Sequence, residues 1–244
     1  MSIGPRGSSC KRCIACCLHF GYSVRVMSGK SFCAVVFDMD GVIFDSERAT
    51  FNCWVELAAK YGIPDIEIPY RDCIGVNAAR TREICLAYYG QDFPYEQYQA
   101  ETSRMYHEKY DGGRLPLKPG VIPLLESLKA AGKKVALASS TRREKVVQQL
   151  ADADLLRFFD AVVCGDMVTH SKPHPEIFLK ACQELETAPE VSYAIEDSYN
   201  GIRAAAAGKL RPIMVPDMLP ATDEMHALAE IVLPSLVKVK EYLL

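Results

Sequence analysis

Residues 34–42 read Ala34-Val35-Val36-Phe37-Asp38-Met39-Asp40-Gly41-Val42, an apolar run that stops at two carboxylates and a glycine. Continuous β-branched and aromatic residues are typical of a strand buried on both faces of a parallel sheet. Ligands of such sheets bind at the carboxyl ends of the strands. Asp38 and Asp40 are two positions apart, so extended backbone directs both to one face. Because two like charges repel there, the sequence predicts a Mg²⁺ site.

Helix capping is the alternative interpretation of these acids. Asp45 and Ser46 precede an amphipathic stretch and could cap it without any chemistry. Capping does not explain Asp38, because this residue directly ends the apolar run. We therefore favour the metal site for the Asp38/Asp40 pair.

The chain after residue 115 alternates between strand and helix patterns. Alternation of this kind indicates an α/β fold with a doubly wound, Rossmann-like parallel sheet. Further strands are predicted at 134–138, 161–164, 191–195, 212–215 and 230–233.

Residues 47–115 contain no strand pattern. Helices are predicted to about Tyr61, from Asn77 to Tyr89 and from Pro94 to about Tyr110, and Asp111-Gly112-Gly113 then breaks the chain. We expect a helical domain at 47–115, inserted into a catalytic core made of residues 31–46 and 116–244.

Composition limits the partners of the protein. The chain has 244 residues, 49% of them hydrophobic, and a net charge of -3. We expect neither nucleic-acid nor membrane binding, since there is no basic excess and no apolar run of bilayer length. Six of the ten cysteines are scattered through apolar patterns, which is typical of a reducing cytosol and predicts a cytoplasmic protein. The oligomeric state stays open, and a monomer is compatible with the sequence.

Residues 1–30 differ from the rest of the chain. They contain five basic residues, no acidic residue and the cluster Cys10, Cys13, Cys16 and Cys17. The spacing fits an iron–sulfur or zinc site, and the composition fits a targeting peptide. We favour a third interpretation, a tail outside the fold, because Met27 would be a natural start before the first strand. Organelle targeting stays open.

Hydroxyl and cationic side chains follow the second and third predicted strands. Ser139 and Ser140 stand beside a helix N-terminus, where hydroxyls suit phosphate oxygens. Residues 141–144, Thr-Arg-Arg-Glu, fit a capping box for that helix. Lys172 lies between prolines in Ser171–Pro175 and would neutralise a phosphate and a carboxylate.

Two further features complete the candidate residues. Glu196 and Asp197 close the fourth apolar run and could join Asp38 and Asp40 in a magnesium site. His170 and His174 flank the lysine, and we interpret them as loop histidines near the rim of the site.

Four ordered motifs resemble those of the haloacid dehalogenase superfamily, subfamily I with a helical cap. Residues 37–46, FDMDGVIFDS, resemble its first motif, and Ser139, Lys172 and Asp197 with Glu196 match the second, third and fourth. The resemblance covers residues 32–244. It implies that residues 47–115 are a cap that closes over the active site.

The resemblance also implies residue roles. Asp38 would be the nucleophile and Asp40 the general acid and base. Mg²⁺ would be held by Asp38, the Asp40 backbone carbonyl and Asp197, with Glu196 near. Ser139, Ser140 and Lys172 would bind the phosphoryl oxygens.

Three functions fit these motifs. Asp40 and the acidic fourth motif favour phosphoryl transfer over carbon–halogen cleavage. The core is similar to β-phosphoglucomutases, but their cap histidine is Thr50 here, and their cap arginine is replaced by Asn77-Ala78. We predict a phosphatase of small phosphorylated metabolites such as sugar phosphates, with a phosphomutase and a non-catalytic phosphometabolite-binding protein as alternatives. Thr50 and Arg80 are candidate substrate contacts, and a solvated helix face is the other interpretation of Arg80.

Overall fold

The structure, a computed structural model, describes residues 31–74 and 78–244. Residues 31–244 form one unit. The predicted tail at 1–30, with its cysteine cluster, and the predicted helix start at Asn77 lie outside the described residues. Within the described ranges, no helix combines the length and the apolar character needed to span a bilayer.

Six parallel strands form one sheet, which confirms the predicted α/β class. Their order is β3-β2-β1-β4-β5-β6, so β1 lies at the point where the winding direction reverses. The strands are β1 (Ala34–Phe37), β2 (Lys134–Ser139), β3 (Ala161–Cys164), β4 (Ser192–Glu196), β5 (Arg211–Met214) and β6 (Ile231–Val232).

Strand β1 is buried on both faces, as its sequence predicts. Val35 and Phe37 belong to the hydrophobic core on one side of the sheet, and Ala34 and Val36 belong to the core on the other. Phe37 pairs with Leu137 of β2 and Ile195 of β4, so the three strands end in register. The residues that follow them therefore meet at one edge.

Six helices flank the sheet: α5 (Val121–Ala130), α6 (Arg143–Asp152), α7 (Glu176–Glu184), α8 (Tyr199–Ala207), α9 (Asp223–Leu228) and α10 (Leu236–Leu243). Ser198 caps α8 and Ser235 caps α10 through their side chains. The capping box predicted at 141–144 is wrong. Helix α6 begins one residue later, after Arg142, whose side chain makes no capping hydrogen bond, and Asp166 Oδ1 accepts from the Arg143 N–H at 3.0 Å instead.

Among the described residues, four helices precede α5 and form a helical insertion with a core of its own: α1 (Ser46–Tyr61), α2 (Glu67–Cys73), α3 (Ala78–Tyr89) and α4 (Tyr95–Tyr110). Trp54 of α1 packs edge-on against Tyr70 of α2 and Tyr98 of α4. Helix α2 was not predicted, because it is short and carries Pro69. This proline is tolerated in the first turn, where a backbone N–H has no helical partner.

Two chain segments connect the insertion to the sheet, and they pair with each other. Phe44 and Leu117 form an antiparallel bridge. The Asp45 N–H donates to Pro116 O at 2.9 Å, and the Lys118 N–H donates to Ile43 O at 2.9 Å. This pairing fixes the start of α1 beside the end of β1.

Candidate active site

Lys172 is the central cation of the site. Its Nζ donates to Asp38 Oδ1 at 2.5 Å and to Glu196 Oε1 at 2.6 Å, and it also donates to Ala138 O at 3.1 Å. The Lys172 side chain is only 7% exposed. Burial acts to lower the Lys172 pKa, but the two carboxylates outweigh it and raise the pKa. The lysine therefore stays charged among the ends of β1, β2 and β4.

Glu196 is fully buried at the end of β4, and both of its oxygens have partners. While Oε1 receives Lys172, Oε2 accepts from the N–H groups of Asp197 and Ser198 and from Ser198 Oγ, at 2.9–3.0 Å. Gly201 makes room for this carboxylate, since a Cβ there would lie 1.8 Å from Glu196 Cδ. These contacts make Glu196 a positioning residue for Lys172 and for the turn into α8.

Carboxylate oxygens of Asp38, Glu196 and Asp197 lie within 4.8 Å of one another. Burial raises the Asp38 pKa to about 8, with Glu196 and Asp40 adding to the effect and Lys172 opposing it. Burial and the neighbouring acids also raise the Asp197 pKa well above its usual range. Two buried carboxylates and the half-buried Asp197 with one lysine need further positive charge, so the donor set fits a hard divalent cation.

Gly41 keeps this cluster compact. Its φ of +79° favours glycine, and a Cβ at this position would lie 2.2 Å from Asp197 Oδ2. Gly41 therefore allows both the turn after Asp40 and the close approach of the Asp197 side chain.

Asp40 is held by two hydroxyl groups that the sequence interpretation assigned to helix capping. Ser46 Oγ donates to Asp40 Oδ1 at 2.9 Å, and Thr141 Oγ1 donates to Asp40 Oδ2 at 3.1 Å. Thr141 follows β2 and Ser46 begins α1, so one carboxylate joins the sheet to the insertion.

The two serines after β2 differ in exposure. Ser139 is fully buried and its Oγ accepts from the Thr141 N–H at 3.1 Å, which leaves the hydroxyl proton available to another acceptor. Ser140 lines the same cavity as Asp38, Asp40 and Lys172. Gly165 allows the chain to pass here, since a Cβ would lie 2.1 Å from Ser140 O.

Two cavities meet at Asp40. One, of about 500 Å³, is bounded by Asp38, Lys172 and Asp197 and extends over residues 198–200, Arg203 and residues 218–219. The other, of about 450 Å³, lies between the sheet edge and the insertion, and its lining includes Thr50, Gln99 and Ser103. Asp40 thus lies between a compartment rich in charged groups and a second one whose lining is mostly uncharged and polar or aromatic but includes Glu47 and Lys145.

Glu47 lines both cavities and was not predicted as a site residue. Burial raises its pKa, and the charge of Asp40 adds to the effect. The Tyr70 hydroxyl donates to Glu47 O at 2.9 Å and to Glu47 Oε2 at 3.3 Å. An aromatic residue of the insertion therefore fixes the acid at the cavity wall.

The two candidate substrate contacts lie in different surroundings. Thr50 lines the second cavity, but its hydroxyl donates to Ser46 O at 3.0 Å within α1. Arg80 lies on an exposed face of α3 and pairs with Glu83 at 2.8 Å. The residues that line the two cavities include its neighbours Ala78 and Thr81 but not Arg80 itself.

Asp45 does not cap α1 through its side chain. It instead pairs with Lys118 of the second connecting segment at 3.0 Å, and Lys118 also pairs with Asp217 at 2.6 Å. Asp217 Oδ2 is buried and accepts no hydrogen bond from the described residues. The expectation that Asp45 is a cap was wrong, because an opposite charge lies within reach.

A parallel sheet that gathers carboxylates and a lysine at its switch point defines an α/β enzyme. The chain belongs to the haloacid dehalogenase-like hydrolase family, which it matches over residues 35–215. Family members carry a helical cap, and we use that term below for α1–α4.

Individual relatives agree with this assignment. The chain is 34% identical over 214 residues to a phosphorylated carbohydrates phosphatase of Thermotoga maritima, which covers 86% of this chain and 96% of the relative. It is 33% identical over 180 residues to a β-phosphoglucomutase of Bacillus subtilis, and the match covers 70% of this chain and 77% of the relative. A crystal structure of CbbY from Rhodobacter sphaeroides in complex with phosphate aligns with a TM-score of 0.65 at 27% identity. The alignment covers 85% of this chain and 96% of the CbbY chain.

Proposed function

We propose that the protein is a phosphatase of small phosphorylated carbohydrates that works through an aspartyl-phosphate on Asp38. One observation carries the proposal. Asp38, Asp40 and Lys172 line a single cavity, with Ser140 at its edge. The cavity thus offers a nucleophile, a proton carrier and a fixed cation to one phosphoryl group.

The first half-reaction forms a bond between an Asp38 carboxylate oxygen and phosphorus. The bond from phosphorus to the sugar oxygen breaks, and Asp40 gives its proton to that oxygen. In the second half-reaction water attacks the same phosphorus and Asp40 takes the proton. The bond to Asp38 breaks, which releases inorganic phosphate and restores the carboxylate.

Asp38, Asp197 and the Asp40 backbone carbonyl would hold Mg²⁺, with Glu196 beside them. The cation would shield the repulsion between Asp38 and an incoming phosphate. Lys172 contributes a positive charge of its own at Asp38 Oδ1, and Glu196 and Ala138 O hold its Nζ in place. The hydroxyl proton of Ser139 and the polar edge at Ser140 would receive phosphoryl oxygens.

The second cavity is the expected site for the carbohydrate. It opens from Asp40, and its lining is rich in uncharged donors and acceptors, including Gln99, Thr102 and Ser103. Such groups suit the hydroxyls of a sugar. The name of the Thermotoga maritima relative supports this substrate class.

A phosphomutase is the second candidate, because the Bacillus subtilis relative carries that name. A mutase must retain its phosphorylated intermediate, which then returns a phosphoryl group to the enzyme. The residue at the expected cap histidine is Thr50, which has no basic group and donates its hydroxyl to its own helix. This feature favours transfer to water.

Phosphate release from a panel of sugar phosphates in Mg²⁺ tests the proposal. The wild type is expected to release phosphate, and Asp38→Asn to lose at least about a thousandfold in rate, because it removes the nucleophile. The reaction with β-glucose 1-phosphate is also assayed for glucose 6-phosphate. Glucose 6-phosphate without free phosphate would establish the mutase, and binding without turnover of any substrate would establish a binding protein.

A further inference from the structure

His170, His174 and Glu176 form a second group of convergent metal donors, on the loop that carries Lys172. One donor atom from each of the three lies within 4.8 Å of the other two. His170 Nδ1 lies 2.9 Å and His174 Nδ1 3.9 Å from Glu176 Oε2. The two imidazole rings are 4.6 Å apart, tilted by 36°. His174 Nδ1 also accepts from the Glu176 N–H at 3.3 Å, so both imidazoles lie beside Glu176.

Glu176 is held as a ligating carboxylate usually is. Its Oε1 accepts from the Thr169 N–H at 2.8 Å, and its Oε2 accepts from the His170 N–H at 2.9 Å. These backbone hydrogen bonds, with the His170 ring, lower the Glu176 pKa to about 2. Hydrogen bonds of this kind orient a metal ligand and keep it deprotonated.

The donor types differ from those of the Asp38 cluster. Two imidazoles and one carboxylate suit Zn²⁺, Ni²⁺ or Cu²⁺, whereas Mg²⁺ prefers oxygen alone. The His170 and His174 side chains are 62% and 51% exposed. An ion can therefore enter from solvent, and water can complete its coordination.

We propose that His170, His174 and Glu176 bind one transition-metal ion at a site separate from the Asp38 cluster. The ion connects His170 and His174, which lie on either side of Lys172, to Glu176 at the start of α7. Occupancy of the site fixes the loop that presents Lys172 to Asp38. A hydrogen-bonded cluster that holds this loop without any metal is the competing explanation.

Imidazole NMR signals of the full chain test the site directly. The protein is kept in excess Mg²⁺, so that the Asp38 cluster is occupied, and Zn²⁺ is added. The signals of His170 and His174 are expected to shift together and to saturate, while those of His107 and His226 stay in place. Because the wild type is used, the readout does not depend on activity or on the folding of a variant.

Calorimetry with Zn²⁺ under the same conditions gives the stoichiometry. His170→Asn/His174→Asn is expected to bind one equivalent fewer than the wild type, and His226→Asn to bind the same number. The difference between variants removes any contribution from the cysteines of residues 1–30. Equal stoichiometry in all three proteins, or no shift at His170 and His174, would overturn the proposal and leave the phosphatase proposal untouched.

Discussion

Lys172 supplies one positive charge to two buried carboxylates, those of Asp38 and Glu196. A buried charge is costly unless it is paired and hydrogen-bonded, and Lys172 meets three acceptors. Glu196 in turn is fixed by three donors of the following turn. Asp38 is therefore positioned by a chain of contacts that begins in the turn before α8, at Asp197 and Ser198.

The two hydroxyls on Asp40 give a residue-scale prediction. Removing one by Thr141→Val or Ser46→Ala frees one carboxylate oxygen, and the rate on a sugar phosphate is expected to fall by about 10- to 150-fold, since a hydrogen bond to a charged group is worth about 1.5–3 kcal/mol. The loss on p-nitrophenyl phosphate is expected to be smaller, because its leaving group needs no proton. Steady-state rates on both substrates give the leaving-group ratio, which is the rate on the sugar phosphate divided by the rate on p-nitrophenyl phosphate.

Thr50→Val is the matched control for this ratio. It removes a hydroxyl from the same cavity, but that hydroxyl donates to Ser46 O and not to Asp40. Its leaving-group ratio should stay at the wild-type value whatever happens to its KM. If Thr50→Val and Thr141→Val changed the ratio equally, Asp40 would not be the proton carrier.

At the scale of elements, the start of α8 is built around the Glu196 carboxylate. Gly201→Ala would place a Cβ 1.8 Å from Glu196 Cδ, so the carboxylate or the helix must move. We expect a loss of about 3 kcal/mol in the free energy of unfolding, together with most of the activity. Urea unfolding followed by circular dichroism measures the first and phosphate release the second.

Gly208→Ala is the control at the other end of the same helix. Gly208 has a φ of -77°, and a Cβ there would meet the flexible end of Leu210 at 3.1 Å. Its effect should stay within about 1 kcal/mol, with activity retained. Similar losses in both variants would mean that α8 is merely intolerant of alanine.

The two connecting segments of the cap are joined by Lys118. Lys118→Met leaves Asp45 and the nearly buried Asp217 without their cation, and we expect stability to fall by about 2 kcal/mol. Adding Asp217→Asn removes the stranded charge and should restore at least half of that loss. Urea midpoints of the two single variants and the double variant complete the cycle. A double variant less stable than Lys118→Met would exclude this pairing as the cause.

The sheet could be predicted from the sequence because buried parallel strands have a simple pattern. Phe37 and Asp38 mark the change from an apolar strand to a polar turn, and the predicted bounds of the later strands differ from the structure by at most one residue at either end. The hydroxyl contacts of Asp40 could not be predicted. Ser46 and Thr141 are good capping residues by local rules, and their actual partner is 6 positions away for one and 101 for the other.

Helix α2 and the Asp45–Lys118–Asp217 group also escaped prediction, for the same physical reason. A short helix with a proline has a weak pattern, and its place is set by packing against Trp54. Asp217 is 99 positions from Lys118, so nothing in the local sequence indicates their pairing. Contacts between residues far apart in the sequence therefore determine these features, which the local sequence pattern does not specify.

At the scale of the whole molecule, hydrogen bonds to acidic side chains connect the sheet to the cap at the site. Asp40 contacts the first residue of α1, and Glu47 of α1 is fixed by Tyr70 of α2. The negative cluster to which the proposal assigns the chemistry is at the same time a source of repulsion in the folded state. A cation that relieves this repulsion should stabilise the entire fold.

Thermal unfolding with and without Mg²⁺ tests this consequence. Mg²⁺ at 100 times its Kd is expected to raise Tm by about 5 °C or more, since binding to the folded state alone adds about 2.7 kcal/mol. Asp197→Asn removes a cluster carboxylate and should lose most of the shift. Asp92→Asn changes an exposed acid of the cap and should keep it. A shift of equal size in both variants would place the ion elsewhere.

The central claim is that Asp38 carries the phosphoryl group. The most direct measurement is acid quenching of the enzyme during turnover of its best substrate, followed by mass spectrometry of the peptide that contains residues 34–44. The account predicts that this peptide gains the mass of one phosphoryl group at Asp38, and that Asp40→Asn accumulates more of it, because attack by water on the intermediate is slowed. Turnover with no modified peptide, or with the phosphoryl group on another residue, would contradict the account.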